Sequence, residues 1–183
     1  MVARRALVLG GTGMLAGVAA ALLDDGWHVV LPSRRRPGSP ATNGNGRGAR
    51  WVKADWTVPT ALADVAREAL GGPADLLVAW VHREVRASVL RAVRPLLAPD
   101  APVVEVHGSA SANPVGGCPD PILDGHPTQQ VVLGYLRHAG RTRWLTHEEI
   151  SSGVLEAVHR ALAGKPSHVH QVGEFRPSLA GGR

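Results

Sequence analysis

Short apolar runs alternate along the chain with longer segments in which apolar residues recur every three or four positions. The first run, ALVL at 6–9, ends in a cluster of glycines, and a helix-like segment follows it directly. Continuous apolar runs are typical of strands buried in a parallel sheet, and the longer recurrence is typical of helices that pack on such a sheet. The pattern predicts strands over 6–9, 27–31, 51–54, 74–81, 102–106 and 130–136, and helices over 14–23, 59–70 and 85–97.

The clearest helix signal comes near the end of the chain. Thr146 and Glu149 have the spacing of a capping box, in which each side chain satisfies the exposed amide of the other residue. The apolar positions behind it fall every four residues and form one stripe for packing on the sheet: Ile150, Val154, Val158 and Leu162. We therefore predict a last helix here, followed by a candidate edge strand at 169–175.

The alternation of strands and helices predicts the fold class. Strand–helix–strand units of about 30 residues form parallel sheets, so we expect an α/β protein: a three-layer Rossmann fold with a parallel sheet of about six strands and helices on both faces. The 183 residues, 44% of them hydrophobic, suit one domain and are too few for two ordinary ones. We expect a single domain over 1–183, with a flexible loop at about 36–49 and a polar C-terminal tail at about 164–183, because both segments are rich in Gly and Pro.

A glycine-rich turn joins the first predicted strand to the first helix. The residues GGTGMLAG at 10–17 fit a dinucleotide-binding fingerprint in two registers, and both registers contain Gly13. Free amides and the dipole at a helix N-terminus favour phosphate there, while the alternative is a glycine turn with no ligand. The residues predicted to hold a pyrophosphate are Gly10, Gly11, Thr12, Gly13, Met14 and Leu15.

The end of the second predicted strand indicates which nucleotide binds. An NAD-specific protein places Asp or Glu there for the ribose 2′-hydroxyl, whereas this chain has Ser33, Arg34 and Arg35. A guanidinium and a hydroxyl can bind a 2′-phosphate that a carboxylate would repel, so NADP(H) is favoured over NAD(H). The alternative is that the arginines only solvate a loop. Asp55 and Trp56, after the third strand, are predicted to lie near the adenine, where Asp55 would accept from its amino group or simply cap a helix.

Composition and charge argue against several other classes. The net charge of +5 comes almost wholly from scattered arginines, without the basic face and interleaved aromatics of a nucleic-acid site. No apolar run reaches the length of a membrane span or resembles a secretory signal, so we expect a cytoplasmic protein with no membrane partner. Cys118 is the only cysteine, and His168 and His170 lack further ligands, so we expect no disulfide and no metal.

The segments VLGGTGMLAG and VVLPSRR, with an Asp after the third strand, resemble the nucleotide-binding half of the short-chain dehydrogenase/reductase superfamily over residues 4 to about 110. Further segments, DLLVAWVH, VHGSAS, QVVLGY and RWLTHEEISSGVLEAV, are similar to a group of small, atypical bacterial members, and together they span nearly the whole chain. The resemblance implies a Rossmann fold and a nicotinamide cofactor.

The resemblance also implies a mechanism whose groups this sequence lacks. The superfamily uses a tyrosine as the acid and a lysine four residues later, with a serine that positions the carbonyl. Here the only tyrosine is Tyr135, the residue four positions on is Ala139, and neither Lys53 nor Lys165 lies in a suitable segment. The usual Asn-Ala-Gly after the fourth strand is also replaced, by AWVH at 79–82. Any reductase chemistry must therefore use other groups.

Candidate catalytic residues follow from where the predicted strands end, because ligands in this architecture bind at the carboxyl edge of the sheet. His82 follows the fourth strand, Ser109 follows the fifth near the position of the superfamily serine, and Tyr135 belongs to the sixth. His82 is the first choice for proton transfer. The alternatives are purely structural roles, in which His82 caps the next helix and Ser109 satisfies a strand-end amide. The same edge adds Trp80, Val81, His82 and His107 to the predicted cofactor site.

These observations predict an enzyme: an NADPH-dependent reductase of a C=N, C=C or carbonyl group in a small metabolite, used in biosynthesis. An iminium substrate already carries the positive charge that an acid would otherwise supply, so loss of the Tyr-Lys pair is tolerable. Two alternatives remain open, namely a non-redox biosynthetic enzyme (a cyclase or isomerase) on the same scaffold and a non-catalytic NADP(H)-binding protein. A short chain without a substrate domain also allows a homodimer that closes the cleft.

Overall fold

The computed structural model describes residues 2–38, 48–108 and 118–175. The strands are β1 Arg5–Leu9, β2 His28–Ser33, β3 Arg50–Lys53, β4 Leu76–Trp80, β5 Val103–Gly108, β6 Thr128–Leu133, β7 Tyr135–His138, β8 Arg141–Trp144 and β9 Val169–Val172. The α-helices are α1 Ala16–Asp24, α2 Pro59–Leu70, α3 Arg83–Val93 and α4 His147–Leu162, and a short 3-10 helix covers Arg94–Leu96. None of the described helices has both the length and the apolar character needed to cross a membrane.

Seven strands form one parallel sheet in the order β3-β2-β1-β4-β5-β6-β9. Helices cover both faces, because alternate residues of each strand join two separate apolar clusters. Val8, Val104 and Val131 pack with α1 and α4, and Leu7 and Val103 pack with α2 and α3 on the opposite face. The predicted three-layer α/β Rossmann fold is confirmed, with seven strands rather than about six.

The end of the sixth strand differs from the prediction. β6 stops at Leu133, and residues that were assigned to it, from Tyr135 onward, begin an antiparallel hairpin of β7 and β8 that the sequence pattern did not indicate. The cause is Gly134, where a Cβ would collide with the backbone of Glu174. That backbone forms an antiparallel bridge with Tyr135, so the chain leaves the sheet one residue after Leu133.

The connection from β5 to β6 is described over residues 118–127. Parallel neighbours are normally joined by a crossover that contains a helix, but the described part of this connection, 118–127, has none. Leu123 is nevertheless buried in the cluster of α2 and α3, and the Pro119 and Asp120 carbonyls accept hydrogen bonds from side chains on the sheet and on α3. The irregular segment 118–127 therefore covers this part of the sheet.

Candidate functional site

A cavity of about 540 Å³ opens at the carboxyl edge of the sheet, beside the switch in strand order between β1 and β4. Ligands of doubly wound sheets bind at this position, and the volume lies in the usual range for small-molecule sites. Most residues that the sequence assigned to the nucleotide line this cavity: Gly10, Thr12, Gly13, Met14, Ser33, Arg34, Asp55, Trp56, Trp80 and His82. Thr57, Glu84 and Val85 complete the lining.

The three glycines of the turn have different roles. Gly10 has φ +99°, and a Cβ there would lie 3.1 Å from the Trp80 Cβ, so the turn itself requires glycine. Gly11 does not line the cavity; a Cβ there would lie 2.5 Å from the Leu31 Cδ2. Gly13 has neither constraint, because a Cβ at this position would meet nothing within 4 Å and its φ is not positive. Space for a close ligand is the remaining physical reason for a glycine at 13, and this matches a pyrophosphate cradle.

Backbone donors in the turn point to the same ligand. The amides of Gly13 and Leu15 donate to the Gly10 carbonyl, at 3.2 and 3.3 Å. Within the described part of the chain, those of Thr12 and Met14 donate to no protein acceptor. Leu15 is fully buried and caps α1 without lining the cavity. α1 has no acidic residue in its first turn, so its positive end is left for an anion.

Ser33 and Arg34 form the side of the cavity that would face the ribose. The Ser33 hydroxyl donates to the Arg35 carbonyl at 2.7 Å and accepts from the Trp51 Nε1 at 2.9 Å, so the protein already uses it. Arg34 is exposed and lines the cavity, whereas Arg35, also exposed, does not. The guanidinium of Arg34 is therefore the cation available at this end.

Asp55 and Trp56 lie where the adenine was expected. Asp55 Oδ1 accepts from the Thr57 amide at 2.9 Å and from its hydroxyl at 2.7 Å, and these bonds hold the pKa of Asp55 below its usual value. The helix α2 begins later, at Pro59, with Val58 in the N-cap position, so Asp55 fixes the preceding turn rather than capping the helix. The Trp56 Nε1 donates to the Pro32 carbonyl at 3.2 Å and ties this wall to β2.

A second cavity of about 90 Å³ adjoins the first at the ends of β4 and β5. Trp80 and His82 line both cavities, and an added Cβ at Gly108 would lie 3.8 Å from the Trp80 ring. The other lining residues are Val81, Arg83, Arg86, Val106, His107, Gly108 and Pro119. Val81 and His107 thus belong to this smaller cavity and not to the larger one where the sequence placed them.

A buried polar cluster supports the smaller cavity. The Arg86 guanidinium donates to both oxygens of Glu105, with Nη2 at 2.9 Å from Oε1, and also to the Asp120 carbonyl at 2.9 Å. His107 is 5% exposed, and burial lowers its pKa. Its Nε2 lies 3.5 Å from the Gln130 Nε2. Sequence reasoning missed Arg86 and Glu105, although a carboxylate inside the apolar run of β5 was the available signal.

The three predicted catalytic residues are placed differently. His82 occupies the N-cap position of α3, but its side chain makes no capping hydrogen bond and instead lines both cavities. Tyr135 is half-buried in the hairpin, lines neither cavity, and has the Arg137 guanidinium carbon 6.0 Å from its ring centre. Ser109 lies outside the described residues. Over the part of the chain that is described, no three His, Cys, Asp or Glu side chains are grouped to hold a metal ion.

Comparison with known proteins shows the fold more clearly than the activity. No protein-family model matches the chain, and no curated protein matches its sequence. Among solved structures, the TT0495 protein from Thermus thermophilus is similar at 21% identity and TM-score 0.67, over 93% of this chain and 97% of that one. An NADH-dependent reductase, A1-R′, solved with NAD, is similar at 17% identity and TM-score 0.67, over 96% and 98%.

A short-chain dehydrogenase/reductase from Brucella melitensis is similar at 15% identity and TM-score 0.61, over 93% of this chain and 95% of that one. These similarities cover nearly the whole of each chain. At sequence identities this low they are evidence for the fold and not for the activity. The chain therefore has the fold of the short-chain dehydrogenases and reductases.

Proposed function

We propose that this protein is an oxidoreductase that uses NADPH to reduce a C=N, C=C or carbonyl group in a small metabolite of a biosynthetic route. The observation that carries the proposal is the glycine turn. Gly13 is free of any steric or conformational need for glycine within the protein, yet it lies in the cavity beside unused amides at the start of α1. That combination fits a dinucleotide pyrophosphate.

The preference for NADPH rests on charge at the end of β2. Arg34 is the basic residue that lines this side of the cavity, and a guanidinium binds phosphate by paired, charge-assisted hydrogen bonds. Asp55, the acidic residue on this side, is already engaged by Thr57. The cavity thus offers a 2′-phosphate one cation and offers a 2′-hydroxyl no free carboxylate on β2.

The remaining chemistry requires a proton. A bound nicotinamide supplies a hydride, and a proton must reach the atom that takes up the negative charge. His82 is suited to this step, because its imidazole lines both cavities and no capping bond holds it. Ser109 and Tyr135 remain further candidates from the sequence.

The first test is calorimetric titration of the purified protein with NADPH and, separately, with NADH. We expect NADPH to bind more tightly, and Arg34→Ala to weaken NADPH binding about tenfold or more, as expected for loss of a charge-assisted contact, while NADH binding stays nearly unchanged. Arg35→Ala is the matched control, since Arg35 is an exposed neighbour outside the cavity. Equal loss in both variants would remove the assignment to Arg34, and failure of both nucleotides to bind would remove the redox proposal.

Gly13→Ala tests the turn directly. The new Cβ meets open space in the protein, so the free energy of unfolding should stay within about 0.5 kcal/mol or rise slightly, while NADPH affinity falls at least tenfold through collision with the pyrophosphate. Urea denaturation and calorimetry measure the two effects. Gly11→Ala should show the opposite pattern, with a loss of about 1–3 kcal/mol from overpacking against Leu31.

Because the sequence lacks Tyr-x-x-x-Lys, the activity assay must also distinguish the reductase from a non-redox enzyme and from a binding protein. NADPH oxidation with a candidate substrate would support the reductase. Conversion of a substrate without nicotinamide oxidation would indicate the cyclase or isomerase, and tight NADPH binding without conversion would indicate a binding protein.

A further inference from the structure

The small cavity at the ends of β4 and β5 is lined by basic side chains. Among the described residues, two arginines and two histidines contribute to it, namely Arg83, Arg86, His82 and His107, and no carboxylate does. Glu105 is held by the Arg86 guanidinium and is not among the lining residues, although its Oε2 lies 3.9 Å from the His107 Nε2. The lining therefore favours an anionic group over a neutral or cationic one.

Arg83 is the cation left available for that group. It is the first residue of α3, and among the described residues it makes no hydrogen bond or ion pair. His82 leaves the N-terminus of α3 without a side-chain cap, and Glu84 is the acidic residue in the first turn of this helix.

His107 adds a buried donor. The Gln130 side-chain NH₂ donates to the Pro119 carbonyl at 2.6 Å, which fixes its orientation. The same NH₂ faces the His107 Nε2 at 3.5 Å, and the Glu105 Oε2 lies 3.9 Å from this nitrogen. Nδ1 forms no hydrogen bond with another described residue, and it is not one of the fully enclosed side-chain atoms that lack a partner in the described part of the chain. His107 is 5% exposed and lines the cavity, and in the tautomer in which Gln130 donates to Nε2 the ring presents Nδ1–H as a donor.

We propose that this cavity binds a carboxylate group, with Arg83 as the ion-pair partner and His107 as a buried hydrogen-bond donor. Its volume of about 90 Å³ corresponds to about three water molecules, which suits a carboxylate and its attached carbon. The cavity shares Trp80 and His82 with the larger one, so a carboxylate held here lies next to the predicted nucleotide site. Taken with the proposed function, on which this last step rests, the substrate is an imino, keto or unsaturated acid.

The test uses sodium acetate as the probe and NMR of ¹⁵N-labelled histidine rings as the readout, at constant ionic strength. We expect saturable shifts of the His82 and His107 ring signals with acetate. Arg83→Gln should weaken acetate binding about tenfold, as expected for loss of a charge-assisted contact. Arg91→Gln is the matched control, because Arg91 is an exposed arginine near the other end of α3, and it should leave the affinity unchanged.

Three outcomes would overturn the assignment. Absence of a saturable His107 shift in the wild type would show that the cavity takes no carboxylate. Inorganic phosphate binding in place of acetate would make it a phosphate site, and equal weakening by both arginine variants would reduce the effect to general surface charge. The titration is run with and without NADPH. If acetate binds and NADPH does not, the carboxylate site stands and the redox proposal fails. If NADPH binds and acetate does not, the redox proposal stands and the carboxylate site fails.

Discussion

Glu105 is a carboxylate on a strand whose neighbours in sequence are valines, and Arg86 makes its burial tolerable. The pair has 5% and 12% side-chain exposure, and the guanidinium reaches both carboxylate oxygens. Removing both charges from water is costly, so such a pair contributes little net stability, but removing one partner leaves the other charged and buried. The structure thus depends on having both residues, and they act as one unit beneath the small cavity.

Loss of one member of this pair should be far more damaging than loss of a surface pair. We expect Glu105→Gln to lower the free energy of unfolding by about 3 kcal/mol. Asp64→Asn, which breaks an ion pair between side chains 57% and 74% exposed, should cost less than about 1 kcal/mol. Urea denaturation of the two variants measures both values. Similar losses would show that water solvates the Arg86 guanidinium in the Glu105→Gln variant.

Two histidines should give the stability a pH dependence near neutrality. Burial lowers the pKa of His107 and also that of His170, which lies beside His168 and Arg160. The unfolded chain therefore binds protons more readily than the folded protein, so this contribution is complete above about pH 6.5 and is lost as the pH falls below that value toward the folded pKa.

We accordingly expect the free energy of unfolding to decline between about pH 7 and about pH 5.5, as measured by urea denaturation at a series of pH values. His107→Gln should flatten this slope, whatever it does to the absolute stability. The control is His138→Gln, on the exposed hairpin, which should keep the wild-type slope. An unchanged slope in His107→Gln would place the titration elsewhere.

At the scale of elements, α4 was predictable because its signals are local. Thr146 and Glu149 form the expected reciprocal bonds, at 3.1 and 2.8 Å, and Arg143 binds both oxygens of the same Glu149 at 2.9 and 2.8 Å. The hairpin of β7 and β8 was not predictable, because its start depends on Glu174 crossing over Gly134 from forty residues further along the chain. Local pattern carries no information about that contact.

The candidate site likewise has features that the sequence could predict and features that it could not. The residues of the glycine turn and the strand ends could be predicted, because strands of a parallel sheet end at a common edge. The sequence could not show that Arg34 and not Arg35 lines the cavity, or that Trp51 occupies the Ser33 hydroxyl. Those facts depend on side-chain direction and on a contact between β2 and β3.

The capping box should account for a measurable part of the stability of α4. Thr146→Ala removes the acceptor for the Glu149 amide and should lower the free energy of unfolding by about 1 kcal/mol. Thr142→Ala, on the exposed strand β8, is the matched control and should leave stability unchanged. Urea denaturation distinguishes the two, and an equal effect would mean that the helix start is held by packing and not by its cap.

At the scale of the whole molecule, the sheet has a well-packed half and a more polar half, and residues 118–127, which contain no helix, cover part of the polar one. Around β1 and β4 the sheet is covered by α1, α2 and α3 with apolar side chains. Around β5 and β6 the face opposite α4 carries Glu105, His107 and Gln130 under this irregular segment. The small cavity occurs at this boundary, so groups in the polar half can vary without disturbing the apolar half that carries the glycine turn.

This division predicts an order of local stability. Backbone amides of buried β1 and β4 should exchange with solvent only at rates set by global unfolding, whereas those of the hairpin, in which every residue of β8 is exposed, should exchange through low-energy local opening. Hydrogen–deuterium exchange with mass spectrometry measures the order, and β6, which is buried throughout and directly precedes the hairpin, is the internal control. If the hairpin were protected as strongly as β6, something would have to cover it. Loss of that protection on dilution would identify a second copy of the chain as the cover, because only association depends on concentration.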